Sequence, residues 1–77
     1  MYRPVRSVSF RQYYYSHKRP NAILVEVYTK DYPRPMFVRI VHRDGTYSLT
    51  TDQLYAKPFT LKTAKKHAAI ILERGVI

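Results

Sequence analysis

Residues 36–51, MFVRIVHRDGTYSLTT, constrain the fold most, because Asp44-Gly45 sits between two segments of alternating character. An Asp-Gly pair so flanked is the strongest short-range signal for a β-hairpin, since a type I′ turn needs positive φ at both central residues. A two-residue loop then sets the register. Arg43 faces Thr46, His42 faces Tyr47, Val41 faces Ser48 and Ile40 faces Leu49. Side chains alternate faces along a strand. Val38, Ile40, His42, Tyr47, Leu49 and Thr51 are therefore expected to face a core, and Arg39, Val41, Arg43, Thr46, Ser48 and Thr50 to form a wet, basic surface.

The other segments supply what this hairpin packs against. Val5–Tyr15 alternates and is rich in tyrosine, as strands often are. Residues 1–4 read as a loose end, because Pro4 cannot donate to a ladder. Residues 22–28, AILVEVY, are apolar on both faces and suit a central strand, with Glu26 on the mostly solvated side in reach of Arg11 or Arg39. Residues 52–58 suit a short helical turn with Leu54 and Tyr55 at the core's edge. Thr60–Arg74 reads as a helix with Thr60 as N-cap and Gly75 as the left-handed residue after its end. Its apolar stripe is Leu61, Ala64, Ala68, Ile71 and Leu72.

These elements predict one small basic α+β domain spanning residues 1–77. A three- to four-stranded antiparallel sheet packs on one C-terminal helix, in the order β-β-β-β-α. The expected core is Val8, Phe10, Ile23, Val25, Val27, Val38, Ile40, Leu49, Leu61, Ala64, Ala68, Ile71 and Leu72. A core this thin makes a homodimer an expected possibility, through Ile70 or a free strand edge.

Charge directs the functional reading. Fourteen Lys and Arg stand against five acids, for a net charge of +9. Such an excess bears on partners rather than on fold, and nucleic acid is the commonest acidic partner. Of the eleven Tyr and Phe residues, five lie between Tyr2 and Tyr15, interleaved with Arg3, Arg6 and Arg11. Rings stack on bases while cations neutralise phosphates. The expected nucleic-acid contacts are Arg3, Arg6, Arg11, Tyr13, Tyr15, Lys18, Arg19, Arg39, Arg43, Lys62, Lys65 and Lys66. The alternative is an interaction or inhibitory module that docks an acidic protein. DNA and RNA are not distinguished.

Enzymatic chemistry has little to stand on. His17, His42 and His67 are widely spaced, no cysteine is present, and no two of the five acids have helical spacing. No zinc pattern or glycine-rich phosphate loop occurs. The expectation is no catalysis, no metal and no cofactor. No apolar run approaches the roughly 20 residues of a membrane span, so a cytoplasmic, non-membrane protein is expected.

Ala64-Lys65-Lys66-His67-Ala68-Ala69 resembles the A-K-x-x-A-A run that opens the last helix of double-stranded-RNA-binding domains. The resemblance covers about six residues and implies that Lys62, Lys65 and Lys66 touch phosphates. The chain departs from that family in having strand-like Val5–Tyr15 where the family has a helix. It also has Lys62-Thr63 where the family usually has paired lysines.

Overall fold

A computed structural model describes residues 3–13 and 22–77. Its strands are β1 (Val5–Tyr13), β2 (Ala22–Thr29), β3 (Met36–Val41) and β4 (Tyr47–Thr50). A 3-10 turn at Gln53–Tyr55 and helix α1 (Leu61–Arg74) follow. The strands form one antiparallel sheet in the order β1-β2-β3-β4. This is the β-β-β-β-α architecture expected from the sequence.

β2 is apolar on both faces because both are covered. Ile23, Val25 and Val27 form the main core with Val38, Phe59, Ala64 and Ile71. Leu24 belongs to a second cluster with Phe37 and Ala56. We call these the helix side and the far side of the sheet.

The hairpin departs from the two-residue loop. Val41 pairs with Tyr47, Ile40 with Ser48 and Val38 with Leu49. The His42 N–H donates to the Thr46 carbonyl at 2.9 Å, and the Gly45 N–H to the His42 carbonyl at 3.1 Å. The loop is therefore Arg43-Asp44-Gly45, with Gly45 alone at positive φ (88°). A three-residue loop ending in a left-handed glycine is the next commonest hairpin solution. Asp44 favours it by folding its carboxylate onto the next turn, accepting from the Thr46 N–H at 3.0 Å and the Thr46 hydroxyl at 2.7 Å.

The register slips again at a bulge between Val38 and Ile40. Val38 and Val41 consequently both pack on the main core, together with Tyr47 and Leu49. Ile40, expected in the core, is 44% exposed. His42, expected beside Tyr47, instead meets Ser48, with Nε2 2.6 Å from Oγ.

Bulges bend strands, and β3 pairs with β2 only at Glu26–Phe37 and Val27–Met36. Beyond these pairs, residues 57–59 lie against both strands. The Lys57 N–H donates to the Val38 carbonyl at 2.9 Å, and Phe59 exchanges two bonds with Ile23. The segment carries the chain from Ala56 on the far side to Phe59 in the main core. Leu54 and Tyr55, expected at the core edge, are 67% and 62% exposed; Ala56 takes the buried position.

Helix α1 has the expected ends. The Thr60 hydroxyl accepts from the Thr63 N–H, and Gly75 (φ 71°) donates to the Ile71 carbonyl. Its buried stripe is narrower than the sequence pattern and consists of Ala64, Ala68 and Ile71. The helix packs mainly on β1 and β2; His67 reaches across to Tyr47 from one flank, and Leu61 and Leu72 on the other are half-exposed. Phe10, on edge strand β1, is 41% exposed, and Val8 and Leu49 are partly buried. Ile70 is half-buried.

Two residues of the expected loose end are tied down. Arg3 and Ile77 exchange backbone hydrogen bonds of 2.7 and 2.9 Å, and the Pro4 carbonyl accepts from the Lys30 N–H at 2.9 Å. The Val5 N–H donates to the Gly75 carbonyl at 2.9 Å, so the segment after α1 lines the start of β1.

Candidate nucleic-acid interface

The far side of the sheet carries arginines set on aromatic rings. Its anchor is Glu26, which is only 4% exposed and not on a solvated surface as expected. A buried carboxylate needs a counter-charge and donors. Arg11 supplies the charge at 3.3 Å, while the Ser9 and Tyr28 hydroxyls donate at 3.4 and 3.5 Å. Ser9 and Arg11 alternate on β1, and Ser9 is directly opposite Glu26 in the ladder, which puts this group on one face.

Three arginines here lie over rings. The Arg6 guanidinium lies 5.6 Å from the centre of the Tyr28 ring, Arg11 lies 5.9 Å from Phe37, and Arg39 lies 5.6 Å from Tyr55. All are within cation–π range. Phe37 and Tyr55 are linked through Ala56, which packs on Phe37. Beside Arg11 lies a groove of about 250 Å³ lined by Arg11, Tyr32, Arg34, Phe37, Thr51 and Gln53. Tyr32 and Arg34 each precede a proline, which disfavours a helical backbone at both and stiffens the wall.

The expected contact residues do not all converge there. Arg6, Arg11 and Arg39 each lie over an aromatic ring of this region, and of the three Arg11 lines the groove. Lys62, Lys65 and Lys66 are exposed on α1, across the sheet. Arg3 reaches the helix side, where its Nη1 donates to the Met36 sulfur at 3.3 Å. Arg43 is exposed in the hairpin loop. The Tyr13 backbone pairs with Ala22; its side chain, with Tyr15, Lys18 and Arg19, lies outside the described residues. Sequence reading missed Arg34, Tyr32 and Tyr55. The two X-Pro steps at Tyr32-Pro33 and Arg34-Pro35 were the available signal for the first two.

The described cations are largely uncompensated. Of the five acids, only Glu26 pairs with a base among the described residues. On the helix side, burial holds the His67 imidazole below its ordinary pKa, and the nearby Lys66 and Lys57 charges push the same way. Neutral His67 can accept from the Tyr47 hydroxyl, 2.9 Å from Nδ1. Among the described residues no group of three or more His, Cys, Asp or Glu is placed to hold a metal ion. No described helix is long and apolar enough to cross a membrane.

Comparisons with protein families, with curated proteins and with solved structures find no match. The six-residue resemblance at Ala64–Ala69 is not extended by the architecture, in which a fourth strand, β1, precedes β2.

Proposed function

We propose that this chain binds nucleic acid through the far side of its sheet, and that it prefers unpaired segments. The observation that carries the reading is the row of arginines on Tyr28, Phe37 and Tyr55 beside a groove that adds Arg34 and Tyr32. Arg6, Arg34 and Arg39 are the phosphate contacts. Exposed Tyr55, partly exposed Tyr32 and the guanidinium planes offer stacking surfaces for bases. Arg11 is neutralised by Glu26, so its role is to hold the face in shape. The lysines of α1 add long-range attraction from the opposite side.

The test is affinity for a single-stranded oligonucleotide as a function of salt. Three phosphate contacts give a slope of log K against log salt of about −2, and Arg39→Ala lowers its magnitude by about 0.7. Binding that ignores salt, or is undetectable for DNA and RNA alike, refutes the proposal. A second reading is an acidic protein partner, favoured by the exposure of Leu54 and Tyr55 next to Arg39. In that case oligonucleotides do not compete with the partner.

A further inference from the structure

The helix side holds a larger cavity, independent of the arginine row. It has a volume of about 400 Å³ and lies between the β3–β4 hairpin and the segment that follows α1. Met36, Leu49, Val76 and Ile77 give it apolar walls, and Tyr47 adds a ring. Arg3 and Arg74 also line it, and no Asp or Glu among the described residues does. Its volume falls within the roughly 300–1,000 Å³ of small-molecule sites, which are typically apolar with a few convergent polar groups.

The two arginines are held in place but, among the described residues, leave donors free. A guanidinium has five N–H donors. Arg74 gives one to the Gly45 carbonyl and lies 6.0 Å from the centre of the Tyr47 ring. The side-chain bond formed by Arg3 goes to the Met36 thioether, a weak acceptor. The nearest hairpin acid, Asp44, has one carboxylate oxygen committed to Thr46 and does not line the cavity. Neither arginine has an Asp or Glu within ion-pair distance among the described residues.

We propose that this cavity binds a small anion with an apolar body, of the alkyl or aryl carboxylate class. The carboxylate meets the Arg3 and Arg74 guanidinium groups, a charge-assisted geometry stronger than a neutral hydrogen bond. The hydrocarbon lies against Met36, Leu49 and Val76. The pairing of charge and apolar wall favours such a ligand over free inorganic phosphate, which buries no hydrocarbon, and over neutral amphiphiles, which leave the cations uncompensated.

The test is a titration of the intact chain with hexanoate, hexanamide and inorganic phosphate, followed residue by residue in an amide NMR spectrum. Hexanoate is expected to shift Thr46, Tyr47, Leu49, Arg74 and Val76 saturably, with hexanamide and phosphate at least about fivefold weaker. Arg3→Gln should weaken hexanoate about fivefold or more. Val76→Asp, at a 38% exposed position that tolerates a polar side chain, should abolish binding. Equal binding of hexanamide, shifts that do not saturate, or unchanged hexanoate affinity in both variants overturns the proposal. None of these results bears on the arginine row, which is read by oligonucleotide binding.

Discussion

Ile71 and Leu72 are adjacent, similar in size, and both belong to the helix stripe read from sequence, yet they should respond very differently to truncation. Ile71 is fully buried in the main core, whereas Leu72 is 52% exposed on the flank of α1. Ile71→Ala removes three carbons from a closed environment and leaves a cavity. The transfer and cavity terms together cost about 3–4 kcal/mol. Leu72→Ala loses part of a transfer term, about 1 kcal/mol or less, with no cavity to leave. A domain of 77 residues is stable by roughly 4–12 kcal/mol at typical per-residue values. The first change therefore consumes a large share of the stability and the second does not. At about 4–8 °C per kcal/mol, the melting midpoint should fall by about 12–30 °C for Ile71→Ala and by no more than about 8 °C for Leu72→Ala. Urea and thermal unfolding followed by circular dichroism measure both. A Leu72→Ala loss equal to or larger than that of Ile71→Ala would refute the placement of α1 on the sheet.

Other expected outcomes follow from single sites. Thr29 is 2% exposed and its hydroxyl has no hydrogen-bond partner among the described residues, so Thr29→Val should raise stability by about 1 kcal/mol in a urea titration. Gly45→Ala forces an L-residue to φ 88° and sets its Cβ 3.1 Å from the flexible end of Arg74, and the backbone term alone should cost about 1–2 kcal/mol. The pKa of His67 is lowered on folding, so the unfolded chain binds its proton more readily and this contribution to stability falls as pH drops below 6.5. Stability should thus be greater at about pH 7.5 than at about pH 5.5, and His67→Phe should reduce that difference.

Features governed by neighbouring residues were legible in the sequence. Thr60 caps α1 and Gly75 ends it because each act is completed within one turn of chain. The strands follow from alternation and from the apolar run of β2. The hairpin register was not legible, because Asp-Gly fits either a two-residue loop with both residues at positive φ or a three-residue loop with only glycine there. The bonds of Asp44 to Thr46 decide between them. The bulge at Arg39 belongs to tertiary structure. It accompanies the passage of residues 57–59 beside β2 and β3, which no local pattern announces.

The candidate interface was half legible for the same reason. Alternation on β1 put Arg11 on a face opposite that of Val8 and Phe10, and Arg39 was expected beside it. Arg39 reaches that region through the bulge and Tyr55, not through the regular pleat assumed from sequence. The burial of Glu26 followed from the covering of the far side by Phe37 and Ala56, residues whose positions depend on the whole chain. The lysines of α1 are exposed, but their separation from the arginines by the sheet is a property of the fold alone.

The central claim is tested most directly by an amide and arginine side-chain NMR map of the chain with a short single-stranded oligonucleotide added at low salt. The account predicts saturable shifts at Arg6, Tyr32, Arg34, Arg39, Gln53 and Tyr55. Shifts confined to Lys62, Lys65 and Lys66 would contradict it and place the nucleic acid on the helix instead.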